Sequence, residues 1–121
     1  MNNETRNIHE RVFEFVLSAV ILFKDICKQC DQADKIIGKQ FMRSATSIGA
    51  NIEEAQSAES KADFIHKYSI SQKEANESQY WLKMIKESCH IKDTYIDSLL
   101  TEIDELISII TTIIINTKNK K

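Results

Sequence analysis

The chain contains no proline and only two glycines, Gly38 and Gly49, in 121 residues. Proline ends helices by removing a backbone donor and clashing with the preceding turn, and glycine supplies the conformations of tight turns. Their scarcity removes the punctuation of a β-rich fold and leaves the chain free to be helical nearly throughout. Long apolar runs are missing too. The most membrane-like piece, Phe15 to Phe23, is interrupted by Ser18 and bracketed by Glu14 and Lys24, whereas a bilayer span needs roughly 20 apolar residues. No membrane segment is expected. Because the same run continues into Lys24 and Asp25 with no small-residue cleavage site, it does not read as a secretory signal, and the protein is expected in the cytoplasm. Cys27, Cys30 and Cys89 are too few for a disulfide framework and are expected to be reduced thiols. Charge of one sign is also lacking: 16 basic and 18 acidic side chains leave a net charge of −2, so there is no global electrostatic case for binding nucleic acid.

What is present is helical periodicity. Val12, Val16, Ala19, Phe23, Ile26 and Cys30 recur at three- and four-residue steps, the spacing that keeps side chains on one helical face. A polar break at 31–34 follows. The second stripe is Ile37, Phe41, Ala45 or Ser44, Ile48, Ile52 and Ala55; the third is Phe64, Tyr68, Ser71, Ala75, Ser78, Leu82 and Ile85; the fourth is Ile96, Leu100, Ile103, Ile107, Ile110 and Ile114. Ser60, with Asp63 three residues on, predicts a capped start for the third helix, and Asp93 or Thr94 is expected to cap the fourth. Residues 118–121 are expected to fray. These signals predict one all-α domain over 1–121, with helices at about 5–30, 34–58, 61–89 and 94–117. Helices of 24 to 30 residues are roughly 36–45 Å long, and short connections force sequence neighbours to run antiparallel. The expected architecture is an up-down-up-down four-helix bundle.

The stripes carry more apolar surface than one small bundle needs. Helix one is apolar at most positions from Val12 to Phe23, and helix four has a second line, Leu99, Leu106 and Ile113, beside its main stripe. Such surplus usually marks a contact surface. Phe13, Leu17, Val20, Leu99, Leu106 and Ile113 are therefore the expected oligomer interface; the alternative is a broad buried face within one molecule.

Helix two is peculiar locally. Gly38, Ala45 and Gly49 lie along one side, and a helix-interior glycine costs about 1 kcal/mol relative to alanine, so a close helix–helix approach is expected to offset it. Beside them Arg43, Ser47, Asn51 and Glu54 form a polar ribbon. In a structural reading Arg43 pairs with Glu54, Glu74 or Glu77; in a binding reading Arg43 and Asn51 meet a phosphate or a base. The structural reading is favoured.

Two blocks carry a family resemblance. The run Gln40-Phe41-Met42-Arg43-Ser44-Ala45-Thr46-Ser47-Ile48-Gly49-Ala50-Asn51-Ile52-Glu53-Glu54-Ala55, followed by Asp63-Phe64-Ile65 and by Glu74-Ala75-Asn76-Glu77-Ser78-Gln79-Tyr80-Trp81-Leu82, resembles the four-helix-bundle family whose members are sometimes encoded within intervening sequences of bacterial large-subunit (23S) ribosomal RNA genes. The likeness covers about Phe13 to Ile110. It implies an antiparallel bundle that assembles into a ring-like homopentamer. The chain is also similar to the accessory bundle protein of diversity-generating retroelements, which implies a basic pentameric barrel that binds nucleic acid and a reverse transcriptase.

For a nucleic-acid role the contacts would be Lys24, Lys28, Lys35, Lys39 and Arg43, a basic line around the first hairpin. Asp25, Asp31 and Asp34 lie among them, and an ordinary solvated face accounts for such lines, so nucleic acid is not the favoured partner. No cofactor or metal is expected. The one set that could hold zinc is Cys27, Cys30, Cys89 and His90, which the bundle brings to one end. No nucleophile, base and orienting group converge, and the Glu-x-x-His on each of two helices that a di-iron bundle needs is lacking. The expectation is a non-enzymatic interaction or scaffold protein working as a homo-oligomer, with a nucleic-acid-binding accessory subunit as the alternative.

Overall fold

Asp31 and Ser60 each cap the start of a helix: Asp31 Oδ1 accepts the Asp34 amide at 2.9 Å and Ser60 Oγ accepts the Asp63 amide at 3.0 Å. Each hydrogen bond satisfies one amide that the first helical turn leaves without a partner. The computed structural model describes residues 3–120, with side chains from Ile8 onward. Its helices are α1 (Asn3–Gln29), α2 (Gln32–Ala55), α3 (Lys61–Ser88) and α4 (Asp93–Asn119). The cap expected for α4 is corrected: Lys92 precedes it without a side-chain cap, and Asp93 is the first helical residue, where its charge complements the helix dipole. The expected fraying of 118–121 is also corrected as far as the described residues reach. Helix α4 runs to Asn119, and the Lys61 ammonium donates to the Lys120 carbonyl oxygen; Lys121 lies outside the described residues.

The four helices form the antiparallel bundle, each packed on its sequence neighbours with α1 against α4 closing the ring, and among the described residues no backbones approach closely across either diagonal. Side-chain contacts fix the register of every seam. Gly38 faces Phe23 and Ile26 of α1, and Gly49 faces Val12 and Val16. Ser44 meets Ser78 at 2.7 Å, and Lys67 reaches Glu54 at 3.0 Å. Gln72 donates to Thr111 at 2.8 Å between α3 and α4. Arg11 clamps Glu102 with Nε and a terminal nitrogen at 3.0 and 2.6 Å, and Tyr95 OH donates to the Ser18 carbonyl at 3.1 Å.

The core runs the length of the bundle, and α2 sits deepest in it. Phe41, Ser44, Ala45, Ile48 and Ile52 are buried against Tyr68, Ser71, Ala75, Ser78 and Leu82 of α3. Small side chains let the two backbones approach, and their hydroxyls do not go unsatisfied: Ser71 Oγ donates to the Ile48 carbonyl at 2.9 Å, and Ser44 Oγ to that of Phe41 at 3.0 Å. The α1–α2 seam uses glycine. A Cβ at Gly38 would lie 3.0 Å from Ile26 Cδ1 and 3.2 Å from Phe23 Cδ1, and one at Gly49 would lie 3.3 Å from Val16 Cγ2. The close approach expected of the two glycines is thus present.

In α1 the inner line is Ile8, Val12, Phe15, Ala19, Leu22 and Ile26. Val16 and Phe23, expected at its centre, are half-buried on its flank. In α4 the inner line is Ile96, Leu99, Ile103, Leu106, Ile110 and Ile113, with Leu100 and Ile107 half-buried beside it.

Two predictions follow from this packing. Gly38→Val adds two methyl groups beyond a Cβ that already meets Ile26, and should destabilise the protein by about 1–3 kcal/mol in urea unfolding; an unchanged midpoint would mean that α1 and α2 are not in close contact. Tyr68 OH is buried with no hydrogen-bond partner among the described residues, so Tyr68→Phe should stabilise by about 1 kcal/mol at neutral pH. Burial lifts that phenol from 10.0 to about 12. The unfolded chain then releases its proton before the folded one does, so wild-type stability falls as pH rises above 10, and the part due to this group is absent from Tyr68→Phe.

Candidate functional site

Phe13, Leu17 and Ile21 recur at four-residue steps on α1 and are 67%, 50% and 53% exposed. They lie on the outer side of the helix, with Val20 half-buried next to them. Phe13 and Val16 of α1 with Thr46, Gly49 and Ala50 of α2 line a groove of about 170 Å³ that continues the apolar surface across the α1–α2 seam. Single exposed apolar residues are ordinary, but a line of three along one helix beside an apolar groove is a continuous apolar surface open to solvent. Phe13, Leu17 and Val20 therefore stand where a partner can reach them. The other half of the expected interface is corrected. Leu99, Leu106 and Ile113 are buried within the single chain. Two lines on α4, 96-99-103-106-110-113 and 96-100-103-107-110-114, both satisfy the three-four alternation of a helical face, and packing between α1 and α3 turns the first inward. On the diagonally opposite helix α3, Tyr80 and Met84 are exposed one turn apart, with Tyr80 edge-on to Trp81 at 5.1 Å between ring centroids.

The polar ribbon is a connection between α2 and α3. Arg43 donates to Glu74 at 3.2 Å and to Glu77, while Trp81 Nε1 donates to Glu77 at 2.9 Å. The Trp81 hydrogen bond chiefly holds the Glu77 carboxyl below its ordinary value; partial burial acts the other way, and Arg43 adds to the lowering. Glu54 does not join this group but pairs with Lys67 at 3.0 Å. Asn51 Nδ2 donates back to the Ser47 carbonyl at 2.9 Å within α2. The partners of Arg43 are thus two of the three carboxylates expected, and its guanidinium is engaged within the molecule.

The basic line around the first hairpin is split. Lys24, Lys28 and Lys39 are exposed and Lys35 is half-buried, and none has an ion-pair partner within 4.0 Å among the described residues. Arg43, the fifth member, is held by the glutamates of α3.

At the same end of the bundle, the proposed zinc set is corrected. Cys30 and Cys89 do converge, but the third group is Asp34: one ligand atom from each lies within 4.8 Å of the others. Cys27 is exposed on α1, about 100° around the helix from buried Ile26, and His90 is exposed beyond the end of α3. Ser88 Oγ donates to Asp34 Oδ1. Burial chiefly pushes the Cys89 thiol up to about 12, with Asp34 and Cys30 adding to the rise. The sequence does hold a sign of Asp34: it lies seven residues before Phe41, on the buried stripe of α2 carried back two turns, though its position in a polar break hides this. Ser88 carries no such sign.

At the opposite end, His9, Gln56, Lys61, Phe64, Tyr68 and Asn116 are among the residues around an open recess of about 740 Å³. Phe64 stacks on Tyr68 with centroids 4.6 Å apart and forms its wall.

The family sequence model described as 23S rRNA-intervening sequence protein matches residues 4–112. Among solved structures, a protein of unknown function from the S23 ribosomal protein family of Bacteroides thetaiotaomicron is 35% identical over 92% of this chain and 97% of its own, and superposes with a TM-score of 0.83. No curated protein matches the sequence.

Proposed function

The chain belongs to the 23S rRNA-intervening sequence protein family, and from that premise we propose that it is a non-enzymatic cytoplasmic interaction protein that works as a homo-oligomer, a ring of five copies as the family resemblance implies. The observation that carries this reading is the line Phe13, Leu17 and Ile21, three large apolar side chains at least half exposed along one side of α1. Fully burying such a side chain contributes about 1.5–3 kcal/mol, and the adjoining groove over Gly49 and Ala50 supplies a surface shaped to receive more. A ring requires each copy to present two different faces, one to each neighbour. Helices α1 and α3 lie across the bundle diagonal, so the α1 line of one copy and Tyr80 with Met84 on α3 of the next form such a pair. The three free thiols suit a reducing compartment, and no helix among the described residues is long and apolar enough to cross a membrane.

The alternative, an accessory subunit that binds nucleic acid beside a nucleic-acid enzyme, draws on Lys24, Lys28, Lys35 and Lys39, which have no ion-pair partner among the described residues. A net charge of −2 per copy and the engagement of Arg43 with Glu74 and Glu77 weigh against it, since phosphate neutralisation supplies most non-specific affinity.

Light scattering on the purified protein is expected to return five times the 13.9 kDa of one chain. Leu17→Glu and Tyr80→Glu should each weaken assembly by at least roughly thirty-fold, as for a charge placed at the centre of an apolar contact, with helical circular dichroism unchanged. A wild-type monomer at micromolar concentration contradicts the reading. Dissociation by Leu17→Glu but not by Tyr80→Glu replaces the ring with a symmetric pair joined through α1.

A further inference from the structure

Three segments meet at one spot: the close of α1, the first turn of α2 a few residues on, and the close of α3 more than fifty residues later. Each backbone there is pinned. The Cys30 amide donates to the Ile26 carbonyl at 2.9 Å, the Cys89 amide to that of Ile85 at 2.8 Å, and the Asp34 amide to Asp31 Oδ1 at 2.9 Å. From these fixed positions a thiol, a carboxylate and a second thiol point at one another, with one ligand atom of each within 4.8 Å of the other two. We propose that Cys30, Asp34 and Cys89 form a binding site for one zinc ion, with the fourth position open to solvent or to an external ligand.

The chemistry of the donors selects the ion. Two thiolates are soft ligands that favour zinc over calcium or magnesium, and Zn–S of about 2.3 Å with Zn–O of about 2.1 Å at tetrahedral angles sets the donors roughly 3.6–3.8 Å apart. Since all three atoms lie within 4.8 Å of one another, a contraction of at most about 1 Å, within reach of side-chain rotation, completes the geometry. Asp34 is only 6% exposed, and no basic side chain lies within 4.0 Å of it among the described residues. A buried carboxylate is costly unless it is paired, hydrogen-bonded or bound to a cation. Its one side-chain hydroxyl donor, Ser88, takes Oδ1, the arrangement by which a neighbouring hydrogen bond orients a metal-ligating carboxylate. Cys30 is half-buried and Cys89 buried, so the site is closed on the core side and reachable from the Cys30 side. Binding replaces the proton of each thiol with a metal–sulfur bond and releases both protons to water.

Cobalt(II), which reports tetrahedral thiolate ligation in its visible and near-ultraviolet spectrum, tests the proposal on the tag-free full chain kept reduced. One equivalent per chain should bind, show sulfur-to-metal charge transfer and be displaced by zinc. Cys30→Ser and Cys89→Ser should each lower the charge-transfer intensity, and Asp34→Asn and Ser88→Ala should each weaken affinity by about 10-fold or more. Cys27→Ser and His90→Ala should change nothing, because neither side chain belongs to the cluster. X-ray absorption on the wild-type zinc complex, which needs no variant to fold, should find two sulfur ligands with oxygen or nitrogen completing the shell. No saturable binding, a six-coordinate cobalt spectrum, loss of the site in Cys27→Ser, or a shell without sulfur overturns it. The oligomeric state plays no part in these readouts.

Discussion

The close contact of α2 with both its neighbours is the constraint on which the rest of the molecule depends. Toward α1 it is achieved with glycine, where Ile26 and Phe23 fill the space a side chain at Gly38 would need. Toward α3 it is achieved with Ser44, Ala45, Ser71, Ala75 and Ser78, all fully buried. Small residues forgo much of the hydrophobic gain a leucine seam would provide, and the compensation is dispersion between backbones held near one another. The hydroxyls become useful in that setting: Ser44 with Ser78 and Ser71 with the Ile48 carbonyl close polar bonds across a buried seam. Arg43, Glu74, Glu77 and Trp81 then fasten its outer edge.

This packing explains why α1 has apolar surface left over. Once Val12, Val16, Phe23 and Ile26 are committed to the glycine face of α2, and Arg11 with the Ser18 carbonyl to α4, the helix has used its inward arc. Phe13, Leu17 and Ile21 fall outside it. The surplus on α4 has a different origin, because α4 packs between α1 and α3 and buries both of its apolar lines wholly or in part. Two similar sequence patterns therefore end in opposite environments.

The fold was legible because its determinants are local and repetitive: the absence of proline, four periodic stripes, and caps such as Ser60 with Asp63. Of the third stripe, Phe64 is half-buried and Tyr68, Ser71, Ala75, Ser78, Leu82 and Ile85 are buried, and its middle was legible because Ala75 and Ser78 stand between polar neighbours. Choosing between Leu99 and Leu100, or between Phe15 and Val16, was beyond the sequence. Both lines of each pair are apolar at helical spacing, and only neighbouring helices decide which turns inward. The partners of Arg43 were nearly legible, since Glu74 and Glu77 share a face. Asp34 was hidden by its own polarity: an acid in a break between helices looks solvated, and its surroundings include Ser88 and Cys89, brought in from the far end of α3. The two bundle ends consequently differ in character, one holding sulfur and carboxylate, the other a recess walled by Phe64 and Tyr68.

Native-state amide hydrogen exchange, which resolves local opening from global unfolding, tests the primacy of α2 most directly. If its close contacts with α1 and α3 organise the bundle, amides of residues 41–52 and 71–82 exchange last, at the free energy of global unfolding, while α4 and the first turns of α1 open earlier. Slowest exchange in α4, with the middle of α2 opening before it, would contradict the account.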